Sequence, residues 1–318
     1  MTTNPTDPVR SIAGIKGALR YVCAYRDQIF VIKLGGEVLR QPESLASIAA
    51  QIALLASLGV RLVVAHGGGP QVSALSQTLG IIPQIITGRR VTCKNTLEVV
   101  KMVIGGQLNL SVLAALRAHR VLAVGLSGMD GELVTARRQP PVQMRDDRGQ
   151  LTEVDFGLVG NVETVDPRPL QALLAAGYMP VVASLAGDNE GNIYNLNADT
   201  LAEHLALALR AQKLIFLTSA PGVLRDPDDS TTLVTLADPD DLASLLHSGA
   251  IAGGMRPKVE ACIRAATGGV ERTHIVDGRT ADALLCEVFT DAGCGTMIVG
   301  RKQKAAYLGV DPAEPAAG

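Results

Sequence analysis

Two lysines, one aspartate and two glycine turns that end apolar runs carry the chemistry in this sequence. Lys33 precedes Gly35-Gly36, and His66 precedes Gly67-Gly68-Gly69-Pro70. Lys258 ends the run Gly253-Gly254-Met255-Arg256-Pro257-Lys258, and Asp199 ends Asn195-Leu196-Asn197-Ala198-Asp199. Glycine lets backbone N–H groups approach an anion closely, and a helix starting directly after the turn adds partial positive charge. Read alone, either turn also suits plain strand-to-helix geometry. A migrating phosphoryl group spreads negative charge over its oxygens, so it asks for cations rather than a covalent partner. Lys33 and Lys258 suit that need. Pro257 is expected at the first helical position, which puts Lys258 in a first turn that disfavours a cation unless a polyanion binds there. A carboxylate between the lysines would hold both, and Asp199 fits that part. The plainer alternatives are a solvated lysine at 258 and a helix cap or first-turn acid at 199. Neither GxxxxGK[ST] nor a strand-following GxGxxG occurs, which disfavours P-loop NTPases and NAD enzymes with that fingerprint.

These residues need strands and helices to position them. Short apolar runs read as strands at Ile29–Leu34, Arg61–His66, Val121–Leu126, Met179–Leu185 and Lys213–Thr218, with another inside residues 272–278 and a last at Thr296–Gly300. Between them, helices are expected at Glu43–Leu58, Pro70–Leu79, Thr96–Leu116, Asn197–Ala211 and Pro257–Ala266. The alternation predicts an α/β fold: a mainly parallel open sheet sandwiched between helices, in two lobes. In such sheets ligands bind at the carboxyl ends of the strands, where the glycine turns lie. Arg137 to Glu163 is charged and glycine-punctuated, which suggests β-hairpins at the sheet edge. Ahead of the first strand, Ile12, Ile15, Leu19, Val22 and Cys23 recur at helical spacing, so Ser11 to Asp27 reads as an amphipathic helix. The expected division is an N-terminal extension (1–27), an N-terminal lobe (28–186), a C-terminal lobe (187–310) and a tail (311–318). The lobe boundary is placed at the polar AGDNEGN stretch. Residues 1–9 and the tail are expected to be disordered.

Composition narrows the classes further. The 318 residues are 47% apolar and 19% charged, with net charge −2 and pI about 6.2, which fits a globular enzyme and gives no basic stripe for nucleic acid. Apolar runs are broken well short of the roughly 18 residues a membrane helix needs, and the polar start lacks a signal peptide's apolar core, so a cytoplasmic enzyme is expected. The five cysteines are scattered without CxxC spacing, and the five histidines lack metal-ligand spacing, so neither a disulfide framework nor a protein-bound metal is expected.

Six motifs then occur in one order: Lys33-Leu-Gly-Gly36, His66-Gly-Gly-Gly-Pro-Gln71, Gly88-Arg-Arg90-Val-Thr92, Asn195-Leu-Asn-Ala-Asp199, Leu217-Thr-Ser-Ala-Pro-Gly-Val223 and Gly253-Gly-Met-Arg-Pro-Lys258. Together they closely resemble the acetylglutamate kinases of the amino acid kinase superfamily, over about Phe30 to Gly300. The resemblance implies MgATP-dependent phosphorylation of the γ-carboxylate of N-acetyl-L-glutamate in arginine synthesis. It implies that Lys33 and Lys258 stabilise the transition state and that Asp199 organises them. Gly68 and Gly69 would give N–H groups to the substrate, Arg90 would pair with its α-carboxylate, and Asn195 would hold its amide end. ATP would lie against Gly35, Gly36, Thr218, Gly222 and Val223.

The N-terminal extension resembles that of arginine-inhibited family members, in which such a helix interlaces dimers into a hexamer. Tyr21, Lys213, His274, Glu287 and Gly293 match positions of the arginine site, so feedback inhibition by L-arginine is expected. Some members also bind a PII-type nitrogen-signalling protein. Three positions depart from the common pattern: Met129 and Gln107 stand where many members have lysine, and Ser219 where many have aspartate. The competing readings are a kinase of the same superfamily acting on another amino acid, and a non-catalytic arginine sensor like the kinase-like domain of acetylglutamate synthases. Such sensors tend to lose the lysine pair, and they precede an acetyltransferase domain for which no residues remain.

Overall fold

A computed structural model describes residues 19–86, 89–145, 151–290 and 293–308. The expected disordered segments, positions 11–18 of the N-terminal helix, and Gly88 lie outside the described residues. In chain order the strands are β1 (Ile29–Leu34), β2 (Arg61–His66), β3 (Ile85–Ile86), β4 (Arg89–Arg90), β5 (Ala123–Ser127), β6 (Val134–Arg138), β7 (Val142–Arg145), β8 (Leu151–Val154), β9 (Gly160–Val165), β10 (Met179–Ala183), β11 (Leu185–Gly187), β12 (Ile193–Asn195), β13 (Lys213–Thr218), β14 (Leu236–Ala237), β15 (Arg272–Asp277) and β16 (Thr296–Val299). The helices that bear on the site are α1 (residues 19–25), α2 (Pro42–Ser57), α3 (Gly69–Thr78), α4 (Lys94–Ala118), α5 (Ala198–Ala208), α6 (Met255–Thr267) and α7 (Ala283–Phe289).

One eight-stranded sheet, ordered β14-β16-β15-β13-β1-β2-β10-β5, runs through the molecule. Its pairs are parallel except β15 with β16. Strands β1 and β13 are buried nearly throughout, which is why they read as continuous apolar runs rather than alternating ones. Side chains still alternate between faces. Phe30, Ile32 and Leu34 join α2 and α4 in one apolar layer, whereas Val31, Val63 and Phe216 join α5 and α6 in the other. Lys33 shares the parity of Val31 and so projects toward α5. In register, Leu34 lies beside both His66 and Leu217, so the carboxyl ends of the three central strands open at one level.

Several boundaries differ from the sequence expectation. Helix α6 starts at Met255, so Pro257 is third in the helix rather than first; the third N–H has no intrahelical acceptor either, and proline costs nothing there. The run 179–185 is two strands. Ser184 breaks it by donating its N–H to His66 O (3.1 Å) and accepting from Leu196 N (3.0 Å). β11 then enters a separate sheet, β12-β11-β6-β9. The polar stretch at 186–192 turns the β11–β12 hairpin, organised by Asp188, which accepts the N–H groups of Glu190 (3.0 Å) and Asn192 (2.9 Å) and the Tyr194 hydroxyl (2.7 Å). The expected hairpins of 137–163 appear as β6–β9 and β7–β8.

Helix α4 contains a π-helical segment, Lys101–Leu108, around Gly105 and Gly106. By length and hydropathy this helix could cross a membrane; here Val99, Val103, Ile104, Leu108, Val112 and Leu116 are buried in the apolar layer shared with Phe30, Ile32 and Leu34. Of the expected N-terminal helix, residues 19–25 are helical. Tyr21 stacks on Tyr25 (centroids 5.8 Å apart), and Tyr25 meets Phe30 edge-on at 5.1 Å.

Phe216 is fully buried at the centre of the sheet. Phe216→Ala is expected to cost about 3–5 kcal/mol in urea unfolding through the cavity it leaves. A cost under about 1 kcal/mol would mean that the layer over β13 is loosely packed.

Candidate functional site

Asp199 is the second residue of α5. Asn197 caps the helix, its Oδ1 accepting the N–H groups of Asp199 (2.8 Å) and Thr200 (3.1 Å), which leaves the Asp199 carboxylate free for other partners. Lys33 Nζ lies 2.7 Å from Asp199 Oδ1, and Lys258 Nζ lies 3.3 Å from Oδ2. Lys258 also donates to Gly254 O at 3.0 Å. So Asp199 is not the helix cap, and Lys258 is not a solvated surface lysine. Lys33 and Asp199 are both buried. Burial alone would raise the Asp199 pKa, but the two ammonium groups outweigh it and hold the carboxyl below its usual range. Burial likewise lowers the Lys33 pKa, partly opposed by Asp199 and reinforced by Lys258.

Lys33 and Asp199 form part of the wall of a cleft of about 240 Å³ whose lining also includes Gly36, Gly68, Gly69, Arg90, Asn195 and, from the segment leading to Lys258, Gly254 and Pro257. Gly68 immediately precedes α3. A Cβ there would lie 2.2 Å from Leu108 Cδ1, so the π-helical turn of α4 leaves room for hydrogen only. Gly69 faces open space, with nothing within 4 Å of a built Cβ. Arg90 Nη2 donates to Gly69 O (2.8 Å) and Ser73 Oγ (2.6 Å), while its buried Nη1 has no partner. A buried guanidinium nitrogen without an acceptor is costly, and a carboxylate entering the cleft would satisfy it. Asn195 Nδ2 donates to Thr92 Oγ1 at 3.1 Å.

The five residues expected near ATP divide. Gly36 lines the cleft. Gly35 donates its N–H to Leu217 O (2.8 Å), and Val223 donates its N–H to Thr296 Oγ1 (2.8 Å), so both groups are already used within the protein. Gly222 has φ +155°, and a Cβ on it would come 2.5 Å from Thr296 Oγ1. Thr218 ends β13, its carbonyl accepting from Gly278 N at 2.9 Å.

His66, beside Lys33, is fully buried and neutral: burial lowers it to about 4, against a weaker opposing bond to the Gly67 carbonyl. Asn109 Nδ2 faces His66 Nε2 (3.2 Å) and the carbonyls of Leu126 (3.3 Å) and Val181 (3.2 Å). Those acceptors fix the amide as donor, so His66 Nε2 accepts and Nδ1–H points at Gly67 O.

A second cluster forms at the amino ends of β13 and β15. Lys213 Nζ donates to His274 Nε2 (3.1 Å), and His274 Nδ1–H donates to Glu287 Oε1 (2.7 Å). Glu287 Oε2 accepts from Cys294 N (2.8 Å) and Gly295 N (3.1 Å). Gly293, at φ +60°, passes so close that a Cβ would sit 2.7 Å from Glu287 Oε2. Burial lowers Lys213 to about 7 and His274 to about 4. Burial, the largest single influence, would raise Glu287, but His274 and the N–H groups of Cys294 and Gly295 together outweigh it and hold the carboxyl at about 2. Lys213 Nζ lies 5.0 Å from the centre of the Tyr25 ring, and Tyr21 stacks on Tyr25. Four of the five residues expected around arginine therefore form one chain of contacts, joined to Tyr21 through Tyr25.

Arg89, not among the residues expected at the site, lines the cleft with its guanidinium 4.3 Å above the Phe156 ring and donates to Gln139 Oε1 (2.6 Å). Ser73, Asn109, Tyr25 and Arg272 are likewise absent from the expected set. Arg89 adjoins Arg90 in one quoted motif and was within reach; the others act through contacts that no local pattern announces.

A family model, described as the Amino acid kinase family, matches residues 28–277. The chain belongs to the amino acid kinase family. It is 46% identical to an acetylglutamate kinase of Myxococcus xanthus, over 90% of this chain and 94% of that one. It is 43% identical to one from Methanothrix thermoacetophila, over 88% of this chain and 96% of that one. Among solved structures, an N-acetylglutamate synthase from Neisseria gonorrhoeae complexed with coenzyme A and N-acetyl-glutamate superimposes with TM-score 0.77 at 29% identity. The match covers 91% of this chain and 63% of the synthase chain. A Giardia lamblia carbamate kinase (TM-score 0.57, 18% identity, 86% of this chain and 99% of that one) shares the fold.

His66 and His274 are buried and neutral, each with a pKa of about 4 against 6.5 when unfolded. The folded state thus binds fewer protons in this window, so stability is present above pH 6.5 and is lost as pH falls toward 4. Urea unfolding at stepped pH should show that loss, up to about 3 kcal/mol per histidine. A flat profile between those limits would mean that the folded protein hosts both imidazolium ions without penalty.

Proposed function

We propose that the protein transfers the γ-phosphoryl group of ATP to the γ-carboxylate of N-acetyl-L-glutamate, giving N-acetyl-L-glutamyl 5-phosphate, a step of arginine biosynthesis. The observation that carries the reading is Lys33 and Lys258 held on one carboxylate, that of Asp199, which with Lys33 lines a cleft that also presents an unpaired Arg90 nitrogen. The acetylglutamate kinases of similar sequence support the choice of substrate.

In this reading, the Arg90 fork takes the substrate α-carboxylate, a geometry suited to two parallel hydrogen bonds. Gly68 and Gly69 offer backbone N–H groups at the start of α3, and Asn195 holds the amide. MgATP enters from the C-terminal half, with Gly36 at its phosphates and Thr218 to Val223 beside the nucleotide. The γ-carboxylate is already ionised at neutral pH, so in-line attack on the γ-phosphorus needs no general base. That agrees with the state of His66, which is neutral and has both ring nitrogens engaged. Lys33 and Lys258 neutralise charge on the transferring group and the leaving ADP, while Asp199 keeps two like charges close together.

The reading extends to inhibition by L-arginine at the Tyr21, Lys213, His274, Glu287 and Gly293 cluster. A synthase structure containing L-arginine, similar over 91% of this chain at 27% identity, supports it. A buried ionised carboxylate, Glu287, and an aromatic pair suit a guanidinium ligand.

ADP release from MgATP with N-acetylglutamate, glutamate and N-acetyl-aminoadipate in parallel, with and without L-arginine, tests both parts. Turnover of acetylglutamate alone, suppressed by arginine, is expected. No turnover on any of the three, with arginine still bound, would favour an arginine sensor instead. Lys33→Ala and Lys258→Ala should each lower kcat by on the order of 10²-fold or more; an unchanged kcat removes that lysine from the mechanism. Deleting residues 1–26 should abolish arginine inhibition while sparing catalysis, and persistent inhibition would exclude the N-terminal helix from that site.

A further inference from the structure

Two free cysteines flank Glu287, Cys286 as its neighbour in α7 and Cys294 through its N–H on the carboxylate, and neither thiol is used by the chemistry above. Cys286 lies on α7, one turn after Ala283 and therefore on the same helix face. Cys294 Sγ donates to the Ala283 carbonyl at 3.3 Å, which places it against the helical turn that carries Cys286. Both residues are half-buried rather than sealed in the core. Cys262, by contrast, is fully buried in α6.

We infer that Cys286 and Cys294 form a reversible disulfide by exchange with a small-molecule disulfide such as oxidised glutathione, and that the bond weakens the proposed arginine site. In the first step the Cys286 thiolate attacks one sulfur of the small disulfide, forming a mixed disulfide and releasing one thiolate. Cys294 then attacks the Cys286 sulfur, the second small thiolate leaves, and the Cys294 proton passes to it. Two protein thiols are oxidised and one small disulfide is reduced to two thiols, so atoms and electrons balance. Burial, with the Glu287 carboxylate nearby, pushes the Cys294 thiol up to about 12, which assigns the first attack to Cys286.

The consequence for arginine rests on the reading of the Glu287 cluster given above. The Cys294 N–H is one of the two backbone donors on Glu287 Oε2, while Oε1 takes His274. A sulfur–sulfur bond of about 2 Å is far shorter than a thiol contact. Closing it draws Cys294 toward α7 and shifts that N–H, and with it the carboxylate that orients His274 and Lys213.

The test uses the full chain equilibrated in glutathione buffers of stepped redox ratio. Peptide mass mapping reads the cross-link, and the arginine concentration for half-inhibition is measured on the same samples. A Cys286–Cys294 cross-linked peptide is expected in oxidising buffer, with half-inhibition moving up about tenfold and returning on reduction. Cys286→Ser, which leaves the Cys294 N–H on Glu287, should make inhibition indifferent to the buffer. Free thiols at every ratio, or stable glutathione adducts on either cysteine, would overturn the disulfide. A cross-linked protein with unchanged half-inhibition would overturn the coupling. Absence of arginine inhibition even in the reduced protein would instead overturn the arginine reading, and the mass map would still decide the disulfide.

Discussion

Everything at the cleft depends on one buried carboxylate facing two ammonium groups. Removed from water, Lys33 and Lys258 would repel each other and each would lose its hydration; Asp199 offsets both costs at 2.7 and 3.3 Å. A buried ion arrangement of this kind is weak evidence for stability, because desolvation takes back most of the Coulomb gain. What it does is fix positions. The net positive charge left after pairing suits a polyanion better than it suits an empty pocket. The fold supplies the geometry: Lys33 from β1, Asp199 from the start of α5 and Lys258 from the first turns of α6 converge at the carboxyl edge of the sheet.

Three short devices keep that convergence exact enough for chemistry. Asn197 satisfies the first N–H groups of α5, so Asp199 need not cap its own helix. Asn109 reaches from α4 to two strands and to His66, tying a helix on one face to the turn that opens the cleft. Gln71 donates to Gly36 O at 2.8 Å and joins the two glycine turns. Only Asn109 is fully buried, but each side chain is a polar group that ties separate backbone segments together, and such groups specify arrangement more than they add net stability.

Much of this was legible in the sequence because it is local. Lys33 before Gly35-Gly36, the triple glycine before α3 and the Asn-x-Asn-Ala-Asp run are contiguous, and apolar runs of strand length found every central strand. What escaped is non-local or too short. β14 has two residues and only pairs because β16 lies beside it. Arg272 bonds the Tyr25 hydroxyl at 2.9 Å across 247 residues of sequence, a contact no periodicity can show. Pro257 in the sequence marks a helix start two residues later than the Met255 at which α6 begins, because proline is equally free of penalty two positions further in. The polar 186–192 stretch reads as an interruption, whereas Asp188 folds it into a hairpin that stays with the first half of the chain.

The wide turn in α4 has a consequence for how this chain tolerates insertion and deletion. A π segment carries one more residue per turn than the α-helix around it, which changes the facing of everything beyond it. In α4 a residue ahead of the segment, Val99, and residues after it, Val112 and Leu116, are all buried in one apolar cluster. Their common orientation therefore already includes the extra residue. Losing a single residue between Lys101 and Leu108 would let the helix relax to regular pitch and would swing Asn109 off His66 while leaving its composition almost unchanged. In this helix the length of the chain, and not only its lettering, encodes the shape of the cleft.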